Sequence, residues 1–306
     1  MITRRDILML AAASVVPAGL ARAQGGAASA APDKLKVVAT FSILADLVRN
    51  VGGARVEVAA LVGPNSDAHV YAPTPGDARA LAAARVVVVN GLGFEGWMDR
   101  LVKASGTRAA MVVASKGVAP RRSEDEHDHG GADPHAWQSV ANAKIYVGNI
   151  RDALVAADPA GEAAYRANAA GYLATLDALD AEVRAAITAI PPARRRIITT
   201  HDAFGYFAAA YGVDFLAPQG VSTEAEASAR DVARIISQIR KQKIPAVFIE
   251  NVTDPRLLER IGRETGARIG GTLYSDALTG PDGPAPSYVE MMRHNVRQLV
   301  AALAVG

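Results

Sequence analysis

Four residues stand out because their side chains could share one cation. His69 lies in PNSDAHVYAPTPGD, His135 in ADPHAW, His201 in TTHDAFGYF and Asp276 in GTLYSDAL. Three neutral imidazoles and one carboxylate combine borderline nitrogen with hard oxygen, a set that suits Zn²⁺ at about 2.0 to 2.2 Å in tetrahedral geometry. The chain has no cysteine, so thiolates take no part. The candidates are 66, 66 and 75 residues apart, which fits neither a local finger nor an HExxH helix, so only the fold can bring them together. Taken singly, each is an ordinary polar residue, three at the ends of predicted strands and His135 where the polar loop ends and a helix begins. Of the other histidines, His294 sits among Arg293 and Arg297 on an amphipathic pattern and reads as a solvated surface residue. His127 and His129 lie in SEDEHDHGG with Glu124, Asp125, Glu126 and Asp128. That tract is either a plain charged loop or a weak metal-collecting loop, built on His127, His129, Glu126 and Asp128, whose ordering entropy would limit its affinity.

The elements that must position these groups alternate. KVVATF from residue 36, VEVAALV at 56–62, VVVVN at 86–90 and MVVAS at 111–115 are short β-branched runs, separated by helical patterns at 43–51, 75–84 and 96–104. After Pro191-Pro192 the alternation restarts with RIITT at 196–200, VDFLA at 213–217, AVFIE at 246–250 and ARIGGTL at 267–273. Helical patterns begin at 203, 227, 255 and 287. This predicts an α/β fold with two lobes, each a mostly parallel four-stranded sheet flanked by helices. His69, His201 and Asp276 each follow a predicted strand, at the carboxyl edge where open α/β sheets bind ligands. Between the lobes, residues 161–190 keep an apolar spacing of three and four, a helix of roughly 45 Å at about 1.5 Å per residue. The expected divisions are an N-terminal lobe at 34–157 with the polar loop 120–134, a linking helix at 158–190 and a C-terminal lobe at 191–306, with the metal in the cleft between the lobes.

The first residues carry an address. Arg4 and Arg5 precede an apolar run from Ile7 to Leu20, and Ala21-Arg22-Ala23 fits a signal-peptidase site, giving an expected signal peptide at 1–23, of Sec or twin-arginine type, and a flexible leader at 24–33. Cleavage there removes three of the 33 basic residues and one of the 31 acidic ones, leaving 30 of each. A neutral balance without a basic cluster argues against nucleic acid as a partner. The lack of cysteine excludes disulfides and a lipid carried on a thiol. The expectation is a soluble monomer in the periplasm without a permanent membrane anchor.

Taken together, TFSILADLVRNVGG, PNSDAHVYAPTPGD, NGLGFEGWMDRL, ADPHAWQSV, TTHDAFGYFAAAYG and IGRETGARIGGTLYSDAL occur in an order that resembles the zinc and manganese solute-binding receptors of ABC importers, the cluster A-I or ZnuA/TroA-like family. The resemblance covers most of the chain after the leader. It implies two α/β lobes joined by a long rigid helix, with metal ligands at His69, His135, His201 and Asp276. It also implies that His at the third position goes with zinc, where manganese receptors carry Glu.

The function expected from this resemblance is a periplasmic receptor, not an enzyme, that captures Zn²⁺ and delivers it to an inner-membrane ABC importer. Its partners would be the permease and its ATPase, with a periplasmic metallochaperone as a further candidate. A manganese receptor is the nearest alternative. A zinc hydrolase is more remote, because four protein ligands close the position that catalytic water needs. An adhesin finds little support without an aromatic-rich exposed patch.

Overall fold

Strands come where β-branched runs are bounded by turns, and in both halves they pair in the same way. The computed structural model describes residues 33–122 and 131–303. The expected signal peptide, the leader up to residue 32, and the loop residues Glu124, Asp125, Glu126, His127, Asp128 and His129, lie outside them. The first half runs β1 (Leu35–Phe41), α1 (Ser42–Gly52), β2 (Val56–Val62), α2 (Pro75–Ala83), β3 (Val86–Val89), α3 (Met98–Ser105) and β4 (Ala110–Val113). Two helices follow, α4 (Val140–Ala157) and α5 (Glu162–Thr188). The second half runs β5 (Arg196–Ile198), α6 (Gly205–Tyr211), β6 (Asp214–Leu216), α7 (Ala229–Gln242), β7 (Ala246–Val247), α8 (Arg256–Thr265), β8 (Arg268–Ile269) and α9 (Tyr288–Leu303). The sheets have strand orders β2-β1-β3-β4 and β6-β5-β7-β8, parallel throughout. This is the two-lobed α/β class expected from the sequence.

Local chemistry sets the helix ends. Thr74 accepts from the Asp77 N–H while the Asp77 carboxylate accepts from the Thr74 N–H, and Pro75 follows at the first helical position of α2. Ser228 caps α7 through the N–H of Asp231. Gly106, Gly212 and Gly266 take left-handed conformations just beyond α3, α6 and α8, where a side chain would be strained.

The strands of the second sheet are shorter than their apolar runs. AVFIE contributes only Ala246–Val247 as regular strand, although Phe248 N–H reaches Ile198 O at 2.8 Å and a bridge joins Glu250 to Leu273. Two glycines replace a regular β8 there: a Cβ on Gly270 would lie 2.4 Å from the Phe248 ring. Close approach to that ring takes precedence over a straight ladder.

One apolar core runs through both halves. It joins β1, β3 and α1 to α4, α5 and α9, and continues to Ile197, Ala246, Phe248 and Leu273 on one face of the second sheet. The other face alternates outward. There Ile198 and Val247 pack with Ile235, Ile239, Leu258 and Ile261 of α7 and α8 as a separate cluster. Helix α5 buries Tyr165, Ala169, Tyr172, Leu176, Leu179, Val183 and Ile187, one face at spacings of three and four, against α1, α4, α6 and α9. Helix α9 also reaches both halves, through Tyr288 N–H to Asp46 of α1 (2.9 Å) and Ala302 O to Arg268 of β8 (2.8 Å). His294 is not the solvated residue its flanking arginines suggest. It is 9% exposed, donates from Nε2 to Thr272 O at 3.0 Å and meets the Tyr274 ring edge-on. The buried face of α9 is wide, taking in Tyr288, Met291, Met292, Asn295 and Val296.

Burial pushes the Asp46 carboxyl up to about 6, against the opposing pull of Tyr288 N–H and Arg49. A folded-state value above the unfolded one means that the stability it supports is complete below about pH 3.8 and is lost as pH rises through about 6. That difference of roughly two units corresponds to about 3 kcal/mol. Asp46→Asn should therefore gain on the parent protein in urea unfolding free energy between pH 4 and pH 7.5. Parallel pH profiles would contradict this account.

Candidate metal centre

Each of the four candidate groups is held by a different piece of the frame. His69 follows β2 by seven residues; its N–H donates to Asp67 Oδ1 (2.9 Å), and the preceding carbonyl, Ala68 O, accepts from Trp97 Nε1 (2.8 Å). Beyond it, Tyr71 OH donates to Asp77 Oδ2 at 2.9 Å, hooking the loop to the start of α2. His135 precedes a short 3₁₀ turn, Ala136–Gln138. Asn90, at the carboxyl end of β3, donates to Pro134 O (2.9 Å) and accepts from Tyr146 OH (2.6 Å), fixing the chain that enters His135. His201 stands three residues past β5. Asp276 stands seven past β8, in a segment gripped from several sides: Asn295 exchanges hydrogen bonds with both backbone groups of Tyr274, and Ser275 O accepts from Trp137 Nε1 (2.9 Å) and Gln138 Nε2 (2.7 Å). Leu278 N–H donates to Ser42 Oγ at 2.9 Å.

These loops bring all four side chains together. One donor atom from each of His69, His135, His201 and Asp276 lies within 4.8 Å of every other. His69 is 8% exposed and the other three are fully buried. The Nε2 atoms of His69 and His135 are 3.3 Å apart. Asp276 Oδ2 is 3.4 Å from His69 Nε2 and 3.1 Å from His201 Nε2, and Asp276 Oδ1 is 3.6 Å from His135 Nε2. The edge of a tetrahedron is about 1.6 times its centre-to-corner length, so ligands ~2.0 to 2.2 Å from a zinc ion stand about 3.3 to 3.6 Å apart. Three of these separations fall in this range, and the fourth, 3.1 Å between Asp276 Oδ2 and His201 Nε2, lies just below it. Both oxygens of Asp276 and both ring nitrogens of His201 are buried without a well-aligned hydrogen bond. Leaving such atoms unsatisfied is costly, and a cation among them would satisfy them.

Around this set lies a second ring of polar groups. Asp133 Oδ1 lies 2.9 Å from His135 Nδ1 and accepts from the His135 N–H. Glu250 Oε2 is 2.7 Å from His201 Nδ1, though out of line for a regular hydrogen bond, and Oε1 accepts the N–H groups of Thr200 (2.8 Å) and His201 (2.9 Å). Thr223 in the second lobe donates to Asp67 Oδ2 at 2.6 Å, across the site from its own sheet. Phe94 packs edge-on against His69 at 4.7 Å and against Trp137, which in turn meets His135 at 5.3 Å. Burial opposes a charge on His201, but Glu250 and Asp276 outweigh it and hold the imidazole well above its ordinary value. Burial would likewise raise Asp276, yet His135 and His201 hold its carboxyl well below the carboxylate range. The site is therefore a buried, anion-rich cleft that favours positive charge.

Sequence reading missed Asp133 and Glu250. Asp133 had a signal in its spacing, since an acid two residues before a histidine can turn back on it. Glu250 was hidden as the last residue of an apolar strand run. His127 and His129 are not among the described residues, and His294 lies apart against Tyr274.

Residues 37–302 match the family described as zinc-uptake complex component A, periplasmic. The chain is 35% identical over 263 residues to the iron-binding protein YfeA of Yersinia pestis, spanning 86% of this chain and 84% of that one. It is 36% identical over 270 residues to the manganese-binding lipoprotein MntA of Halalkalibacterium halodurans, spanning 88% and 89%. The structure of the periplasmic zinc-binding protein TroA from Treponema pallidum superposes with a TM-score of 0.83 at 33% identity, over 88% of this chain and 99% of that one. The fold thus agrees with the matched proteins, and the chain belongs to the zinc-uptake complex component A family, the metal-binding receptors of ABC importers, which are not enzymes.

Proposed function

We propose that this chain is a periplasmic zinc receptor that binds Zn²⁺ through His69, His135, His201 and Asp276 and releases it to an inner-membrane ABC importer. The observation that carries the reading is the buried convergence of three imidazole Nε2 atoms and a carboxylate at tetrahedral spacing. Three nitrogens and one carboxylate favour Zn²⁺ over Mn²⁺, because first-row affinity at nitrogen-rich sites rises from manganese towards the end of the series. The ion is cargo here. Its four ligands leave no coordination position for catalytic water, which is the arrangement a carrier needs. The division into lobes at 34–157 and 191–306 around a linking helix at 158–190, the export signal at 1–23 and a monomeric state belong to the same reading. Among the described residues no helix is long and apolar enough to cross a membrane.

A second reading, a manganese receptor, draws on the manganese-binding lipoprotein MntA at 36% identity. Competition between Zn²⁺ and Mn²⁺ in chelator-buffered solution separates the two. Zinc should win by several orders of magnitude and be the metal retained by protein purified without added metal, whereas retained manganese or near-parity would favour the second reading. His201→Ala should weaken zinc by more than the roughly hundredfold that loss of an outer hydrogen bond costs. Unchanged binding would remove His201 from the ligand set.

The pH dependence follows from the same charges. In the ion-free protein His201 keeps a proton to higher pH than a free imidazole, and the incoming ion must displace it from Nε2. Raised in the fold, that protonated state stabilises the ion-free protein at low pH and its contribution is lost as pH rises through the raised value. Apparent zinc affinity should therefore rise with pH, by about tenfold per unit for each proton displaced. Titrations in weakly and strongly buffered solution should show proton release on binding. Affinity flat between pH 5.5 and 8 would contradict the assignment.

A further inference from the structure

We infer that Glu250 is a positioning residue for the metal site, fixing which nitrogen of His201 faces the ion and sharpening the preference for zinc over manganese. The inference rests on the zinc-receptor reading above and adds to it a residue that touches no ion. Glu250 is 1% exposed, and its polar contacts converge on one short segment. Its Oε1 accepts the N–H groups of Thr200 and His201 at 2.8 and 2.9 Å, so the carboxylate cannot turn away from the segment that carries the ligand. Its Oε2 then stands 2.7 Å from His201 Nδ1, out of line for a regular hydrogen bond but close enough that the facing nitrogen must carry a hydrogen.

The direction of donation follows from those contacts. An ionised carboxylate only accepts, so the nitrogen beside it must carry the hydrogen. Once the ion displaces the proton on Nε2, that nitrogen's lone pair is the one that faces the cleft, where Asp276 Oδ2 stands 3.1 Å away. Asp133 does the same for His135, lying 2.9 Å from Nδ1 and accepting the His135 N–H with the same oxygen. Each half of the chain thus supplies one histidine with its own carboxylate. A carboxylate on the far nitrogen makes an imidazole a stronger donor. Zinc gains more from a stronger nitrogen donor than manganese does, since its affinity depends more on nitrogen.

Glu250→Gln tests this with almost no change in volume. The amide oxygen must stay on the two backbone N–H groups, because turning it over would set NH₂ against two other donors. The amide nitrogen then faces Nδ1, and His201 has to accept there and carry its hydrogen on Nε2, pointing at the ion. Zinc affinity of the full chain, measured by chelator competition, should fall about ten- to a hundredfold, with a smaller loss for manganese, so that the zinc-to-manganese ratio narrows. In zinc-loaded parent protein, ¹⁵N spectra of labelled histidine should show His201 protonated on Nδ1 and metal-bound through Nε2, a readout that needs no variant to fold. Glu250→Gln that binds zinc within twofold of the parent at an unchanged metal ratio, while His201→Ala loses zinc, would overturn the positioning role and leave the ligand set standing. His201 protonated on Nε2 in the zinc-loaded parent would overturn it as well. Equal zinc binding by His201→Ala and the parent would overturn both readings.

Discussion

The constraint on which the structure turns is that four buried polar side chains must face one common centre. Three imidazoles and a carboxylate pointing at a common centre leave buried atoms without aligned partners, an arrangement that a relaxed protein would collapse. It persists because every ligand segment is fixed by bonds on its far side. Ala68 O is tied to Trp97, Pro134 O to Asn90, Thr200 N to Glu250, and both backbone groups of Tyr274 to Asn295. The surrounding frame bears the cost of an arrangement that the ion itself would relieve.

The same bonds divide the ligands unequally. By chain position His69 and His135 belong to the first half, and His201 and Asp276 to the second. By contact the Asp276 segment is held from both: Ser275 O by Trp137 and Gln138, Leu278 N–H by Ser42 and Leu278 O by Asn65 N–H on one side, and Leu273 O and Ala277 O by Asn251 on the other. His201 and its carboxylate Glu250 remain with the second sheet. The continuous core under both halves, with α5 and α9 crossing between them, resists a wide opening. The cluster beneath α7 and α8 is separate from that core and offers the lower-cost place for a shift.

Much of this was legible from residue order. Alternating β-branched runs and apolar periods of three and four gave both sheets and α5, since those patterns depend on burial alone. The four candidate ligands were legible as residue types able to share a cation, three of them placed after strands and His135 at the end of the polar loop. Glu250 was not, because an acid closing AVFIE looks the same whether it meets water or a histidine; only the pairing of β7 with β5 sets it beside His201. His294 was misjudged from its arginine neighbours, because α9 is buried on two sides where it lies between α5 and Thr272. Strand length in the second sheet was overestimated for a related reason. Apolarity marks what is buried, but a regular ladder also needs a partner, and Gly270 gives way there to the ring of Phe248.

Metal preference is the property furthest from sequence, and the reason is geometric. A donor set of three imidazoles and a carboxylate ranks ions by softness, but affinity for zinc exceeds that for manganese at almost any nitrogen-containing site. A protein shifts the ratio by fixing how many donors reach the ion and how far apart they stand. The fully buried Asp276 has two oxygens in the cleft, one 3.1 Å from His201 and the other 3.6 Å from His135. Using one gives four donors at tetrahedral spacing; using both gives five, closer to what a larger ion accepts. The bonds that fix Tyr274, Ser275 and Leu278 on either side of Asp276 therefore act on selectivity as well as stability, because the freedom of that carboxylate to rotate decides which coordination number the frame enforces.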